Sequence, residues 1–251
     1  MFSFIWHTFF FDPVYNSLIF FINVLPNGDV GLAIIFTTIV VKIILFPISY
    51  KASKMQVLMR ELEPKIKAIK EKFTDRQEQA QEMMKMYKEA GVNPFAGILP
   101  IFIQIPILIA LFLSVYGGGG GEELPAVNVS ILYNFVPNPE TISMIFLGIQ
   151  DITARSLPIA AIAGVLQYIQ ASMTIPKPKP KAKDAKPNLK DDFTRSMQMQ
   201  MRYVMPAIVF IFAYTISAAI ALYFAVSAFT AIVQEMLVKR NRQKDELPDK
   251  V

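Results

Sequence analysis

The chain has no cysteine and a single histidine, His7, among its 251 residues. The first absence excludes a disulfide framework, a thiolate metal site, a lipidated cysteine and a cysteine nucleophile; the second argues against a histidine-built metal cluster. No GxxxxGK phosphate loop and no Ser, His and Asp set near an apolar run is present, so neither a catalytic residue nor a cofactor or metal site is expected. Charge is scarce as well, at 18% of residues, against roughly 25% in average soluble domains. It is also concentrated. Of the 25 Lys and Arg, 23 fall in Lys51 to Pro94, Ile175 to Arg202 and Leu237 to Val251, and the rest of the chain keeps only Lys42 and Arg155. A water-soluble surface needs charges interleaved along the whole chain. The distribution therefore excludes a soluble enzyme and leaves a polytopic membrane protein. The net charge of +5 sits in loops between apolar runs, where orientation in a membrane explains it more simply than nucleic acid, and no DNA partner is expected.

What is abundant is long uncharged sequence. Residues 31–50 (GLAIIFTTIVVKIILFPISY) carry one charge in 20, residues 95–116 none in 22, and residues 156–175 none in 20; each is long enough for a hydrocarbon core of about 30 Å. Residues 203–234 form an uncharged run of 32, which as one helix would measure about 48 Å. Lys and Arg in short flanking loops stay on the cytoplasmic side, and residues 117–154 have none. A single last span would export Lys239, Arg240, Arg242 and Lys244, whereas two short ones turning near Thr215 to Ala218 keep them inside. The expected fold is all-α with five transmembrane helices, 31–50, 95–116, 156–175, 203–217 and 218–237, N-terminus out and C-terminus in. Between them lie a cytoplasmic region 51–94, an extracytoplasmic loop 117–155 and a cytoplasmic Lys/Pro-rich loop 176–202, followed by a basic tail 238–251.

Residues 1–30 are expected to form an interfacial amphipathic helix: Asp12 caps it, Pro13 takes its first position, and Val14, Leu18, Phe21, Ile22 and Leu25 make one apolar stripe closed by Pro26, Asn27 and Gly28. In 51–94, Met55, Leu58, Met59, Leu62, Ile66, Ile69 and Phe73 recur at helical spacing between charges of both signs, which predicts a helical hairpin. Pro64 starts or kinks one arm, Thr74 with Gln77 forms a capping box for the other, and Gly91 with Pro94 ends it. The run Gly117 to Gly121 reads either as a flexible exit from the second span or as a stretch substituted for the natural one. Methionines cluster at 55, 59, 83, 84, 86, 197, 199, 201 and 205, flexible thioethers suited to varied apolar partners as well as to ordinary packing.

The most informative side chain is Lys42, about eight residues before the cytoplasmic end of its span and so roughly 12 Å below that interface. A charge at the centre of a span costs about 2.5 to 3.5 kcal/mol, so a lysine there snorkels to the surface or faces a water-filled cavity. Thr37 and Thr38 precede it by about a turn, and Gln104, Gln167, Gln170 and Gln234 on other spans add polar lining. Glu235 is expected at the cytoplasmic interface. A groove that attracts an acidic ligand fits this set.

The sequence resembles the YidC/Oxa/Alb membrane protein insertases in three stretches: VVKIILFPISYKASKMQVLMRELEPKIKAIKEKF (40–73), EMMKMYKEAGVNPFAGILPIFIQIPILIALF (82–112), and MPAIVF followed by ALYFAVSAFTAIVQEML (205–237). The pair Asn93–Pro94 before the second span and the P-x-x-I-Q-x-P pattern from Pro100 to Pro106 are its most specific pieces. The resemblance implies an insertase and chaperone of the plasma (inner) membrane of a prokaryote, in the compact form without a large extracytoplasmic domain. It implies a hydrophilic groove open to cytoplasm and lipid, with Lys42 as the groove charge and Thr38, Gln104, Ile105, Leu108, Tyr223 and Phe224 lining the groove or the path along which substrate slides; Gln167 joins that lining from the reading of its own span. Nascent membrane proteins and the bilayer are its implied partners, and the hairpin and basic tail are candidates to meet a ribosome or Sec translocon. Lys42 stands where the family commonly has Arg, and Phe224 where a second Tyr is common. A secondary carrier or channel for a small anionic solute remains the alternative.

Overall fold

In the structure, a computed structural model, residues 2–73, 75–93, 99–175 and 195–245 are described. They divide into two units, residues 1–44 with 106–235 and residues 45–105 with 236–251, the division falling within three helices.

In the first unit, α1 (Phe2–Trp6) continues through a π-turn, His7–Phe11, into α2 (Asp12–Val24). Asp12 is therefore not the cap expected from the sequence. Phe11 before it is helical (φ −70°, ψ −58°), because nothing in the apolar run upstream stops the helix, and the Asp12 carboxylate instead meets His7 Nδ1 at 2.8 Å. Of the expected stripe, Val14, Leu18 and Ile22 are buried and Phe21 and Leu25 half-buried; Tyr15, Asn16 and Ile19 are buried as well, while Phe20 and Val24, outside the stripe, stay exposed. The chain turns at Gly28 (φ +63°), where a side chain would run into the Thr141 carbonyl, so only glycine fits.

Helix α3 (Val30–Glu61) is one 32-residue helix with Pro47 inside it. It runs past Tyr50 without a break because the residues after it are good helix formers. Helices α6 (Leu99–Tyr116), α7 (Leu157–Thr174), α8 (Met205–Ile216) and α9 (Ala218–Asp245) follow, α8 being entered through a π-turn at Gln200–Val204. Helices α7 and α8 pack closely through small residues. Ala160, Ala163, Ala213 and Ala221 are fully buried in one cluster, and a Cβ on Gly164 would lie 2.9 Å from the Phe210 Cβ. Small residues at a helix interface let backbones approach where no hydrophobic drive separates helix from lipid.

One extended residue, Ser217 (φ −169°, ψ 165°), separates α8 from α9. The helix ends are tied to the segment before α7: Ala218 N donates to Ala154 O at 2.8 Å and Ala219 N to Ile152 O at 2.9 Å, while Arg155 Nε donates to Thr215 O at 3.1 Å.

The 117–155 loop is built rather than slack. Strand β1 (Gly117–Gly118) pairs antiparallel with β2 (Gly121–Glu123), so the glycine run makes a tight hairpin instead of a flexible exit, and β3 (Ile145–Phe146) pairs with β4 (Gln150–Asp151). Polar side chains of α2 latch onto this loop. Asn16 donates to Ile131 O at 3.0 Å and to Asp12 O at 2.9 Å, and its Oδ1 accepts from Tyr133 N at 2.6 Å. Asn23 donates to Pro137 O at 2.7 Å, and Tyr15 Oη accepts from Asn128 N at 2.9 Å. Burial outweighs that bond and pushes the Tyr15 phenol above its ordinary value. Asp29 Oδ1 caps α3, accepting from Leu32 N at 2.9 Å.

In the second unit, α4 (Glu63–Lys72) and α5 (Arg76–Glu89) form the two arms of the hairpin, with Pro64 in the first turn of α4. Buried Gln79 donates to Lys70 O and Phe73 O and so closes the end of α4. Asp75 caps α5, accepting from Glu78 N; Thr74, expected in that role, lies outside the described residues. Gly91 (φ +63°) ends α5 in a Schellman motif, with Val92 N on Tyr87 O and Gly91 N on Lys88 O. Pro94, the start of the expected second span at 95–98, most of the Lys/Pro loop and the end of the tail also lie outside the described residues.

Among the described residues, Val30–Met59, Leu157–Thr174, Arg195–Ile216 and Ala218–Asn241 are long and apolar enough to cross a membrane, and Phe102–Tyr116 is a shorter apolar helix.

Candidate functional site

Lys42 lies half-buried on α3. Thr38, one turn before it, is buried and donates from Oγ1 to Ile34 O at 2.7 Å, while the neighbouring Thr37 hydroxyl is buried with no hydrogen-bond partner. Ile34, Thr38 and Lys42 recur every fourth residue and so share a helix face. Ile34 lines a narrow apolar cleft with Leu108, Leu111 and Val115 of α6 and Ala219, Ile220 and Tyr223 of α9. The first unit thus brings Leu108 and Tyr223 together with the α3 face that carries Lys42. Two expected lining residues, Gln104 and Ile105, belong to the other unit. On α6 itself, Gln104 precedes Leu108 by one turn and occupies the same face.

A second α6 face is bare. Phe102, Ile105, Ile109 and Phe112 are 69%, 51%, 43% and 37% exposed, a 3-4-3 spacing that makes one continuous apolar stripe. Ile105 belongs to it. The methionines at 197, 199, 201 and 205 are likewise exposed, near the start of α8.

Two other expected lining residues find their partners elsewhere. Gln167 Nε2 donates to Gln170 Oε1 at 2.8 Å along α7. Phe224 packs on the alanine cluster of α7, α8 and α9, because successive residues on a helix diverge by about 100°, and Tyr223 already takes the cleft side. Glu235, expected at the interface, is only 4% exposed. Sequence reasoning also missed two arginines as caps. Arg202 is buried and donates from Nη1 to Ile175 O at 2.7 Å, closing the C-terminal end of α7, and Arg155 does the same for α8. No local signal announced either one, because Arg202 is 27 residues and Arg155 60 residues from the carbonyl it bonds.

The family model of the 60Kd inner membrane protein matches residues 21–246. The chain belongs to the YidC/Oxa/Alb family. Among proteins named membrane protein insertase YidC, that of Actinobacillus pleuropneumoniae serotype 3 is 33% identical over 96% of this chain and 39% of its own length. The Clostridium tetani protein is 28% identical over 87% of this chain and 86% of its own, and that of Alkalihalophilus pseudofirmus 29% identical over 92% and 80%. The chain therefore spans about two fifths of the Actinobacillus relative and most of the other two. A crystal structure of an active YidC insertase with the first transmembrane domain resolved aligns with a TM-score of 0.50 and 23% identity, over 90% of this chain and 46% of that one. That likeness speaks to the fold. As a YidC/Oxa/Alb member with several membrane-crossing helices, the chain is a multi-pass inner-membrane protein.

Proposed function

We propose that the chain is a membrane protein insertase and chaperone, using a positively charged groove open to cytoplasm and lipid and needing no cofactor, metal or catalytic residue. The observation that carries the reading is Lys42, half-buried within an apolar helix and aligned with buried Thr38 on the face that leads from the cleft. Lys42 attracts the acidic or polar segment of a nascent membrane protein: two opposite charges about 4 Å apart interact by about 4 kcal/mol at an effective dielectric near 20, comparable with the cost of bringing one charge below the headgroups. The apolar segment of the substrate meanwhile slides into lipid along the bare stripe of α6, Phe102 to Phe112, with Tyr223 at the cleft. Gln104 extends the polar lining. The same reading takes five spans, residues 95–116 as the second and the two helices around Ser217 as the last, N-terminus out and C-terminus in. On the cytoplasmic side, the hairpin 51–94 and the tail 238–251 meet a ribosome or Sec translocon.

The test is insertion of a single-span protein with a short acidic outside segment into liposomes holding only this chain, read by protease protection. Lys42→Arg should retain insertion and Lys42→Glu should lose most of it. Loss with Arg as severe as with Glu would favour a solute carrier with a shaped anion site. No insertion by the parent chain, correctly folded, would overturn autonomous insertion.

A further inference from the structure

The β3–β4 hairpin ends in a tip that the fold itself does not bury. Leu147 and Ile149 are 58% and 88% exposed, and Ile149 is the barest large hydrophobic side chain among the described residues. The root of the hairpin is the opposite. The Phe146 ring lies so close to Gly31 that a Cβ there would approach it to 2.4 Å, and Val30 N donates to Ser143 O at 3.0 Å. Buried Asp29, the cap of α3, accepts from Leu147 N at 2.7 Å through its other oxygen. That bond holds Leu147 in the left-handed region (φ 51°), which glycine or asparagine takes with far less strain than a branched residue. A position chosen for turn geometry alone would not carry leucine, so the side chain is being aimed.

Its surroundings say at what. Asp29 is the last charge before the apolar run that opens at Val30, so the hydrocarbon edge of that span falls at the hairpin's root. From Thr141 to Gln150 no residue is charged. We propose that the β3–β4 tip dips into the adjoining leaflet, with Leu147 and Ile149 among the upper acyl chains, and fastens the 117–155 loop to the membrane face. The proposal rests on α3 crossing the bilayer and is independent of insertase activity.

Because the chain lacks cysteine, single sites can be labelled cleanly. An environment-sensitive fluorophore is placed on Ile149→Cys and, as a control in the same loop, on exposed Asn138→Cys, in vesicles of phosphatidylcholine and phosphatidylglycerol. The Ile149 label should emit at shorter wavelength and be quenched several-fold more by lipids carrying a nitroxide near the glycerol end of the acyl chain, while iodide reaches it several-fold less. Leu147→Asn keeps the left-handed turn and removes one apolar contact, so it should lower lipid quenching at Ile149→Cys. Iodide quenching equal to the control, or shielding from both quenchers as a covering protein surface would give, overturns the proposal. Insertion of the acidic test protein in the same vesicles is read separately, so either result can fail while the other stands.

Discussion

Asn16 offers the sharpest test of how the 117–155 loop is held. Its side chain is 2% exposed and makes three hydrogen bonds, two donated to carbonyls and one accepted from the Tyr133 amide. Asn16→Ala removes all three and strands the Ile131 carbonyl and Tyr133 amide. At about 1 kcal/mol for each neutral bond, and with partners that lie near the surface and recover some hydration, the loss is about 2 to 3 kcal/mol. Each 1.4 kcal/mol corresponds to a factor of ten, so amide hydrogen exchange across 131–136 should accelerate about 30- to 140-fold by local opening. Exchange mass spectrometry on the chain in nanodiscs reads this directly, with the α7–α8 interface, which Asn16 does not touch, as the internal reference. The latch reasoning is refuted if 131–136 exchange as in the parent, or if acceleration spreads equally to α7 and α8.

Gly164→Leu should overpack the α7–α8 contact, where Phe210 already sits 2.9 Å from a would-be Cβ, and cost about 1 to 3 kcal/mol in detergent unfolding; a neutral result would mean that the helices are not held this closely. Arg202→Met, which loses the buried bond to Ile175 O, should cost about 1 to 3 kcal/mol in the same assay, with partial rescue by Arg202→Lys. The Thr153 hydroxyl and amide hold the Asp151 carboxyl below its ordinary value. Because the folded value is depressed, this turn contributes stability above the unfolded carboxylate value and loses it as pH falls through the folded one. Exchange at 151–155 should therefore rise in acid in the parent and be pH-flat in Asp151→Asn once intrinsic rates are removed.

Charge and hydropathy made the apolar helices legible, because exclusion from lipid acts on every Lys and Arg regardless of its neighbours. The same logic put a break between Thr215 and Ala218, and the extended residue is Ser217. Local signals worked where their partners were local, as with Pro64 at the start of α4 and Gly91 at the end of α5. They failed where the deciding partner was distant. Asn16 and Asn23 bond to loop carbonyls more than a hundred residues away, Arg155 reaches across 60 residues to cap α8, and nothing in spacing announces either. Asp12 shows a different failure: a good capping residue does not cap when the chain before it is already helical. At the candidate site, the Thr38–Lys42 alignment followed from helical periodicity. The side that Phe224 faces depended on which of two adjacent aromatics the alanine cluster claims.

The turn at Ser217 has one more property. Bulk water normally satisfies the amides and carbonyls that a helix break frees, and this requirement holds helix ends at the headgroups. Here Ala154 O and Ile152 O accept the first two amides of α9, and the Arg155 guanidinium donates to the Thr215 carbonyl. A break with bonded ends carries part of its own substitute for solvent, so the helical run Arg195–Ile216 can end at Ser217 without each freed group having to reach bulk water.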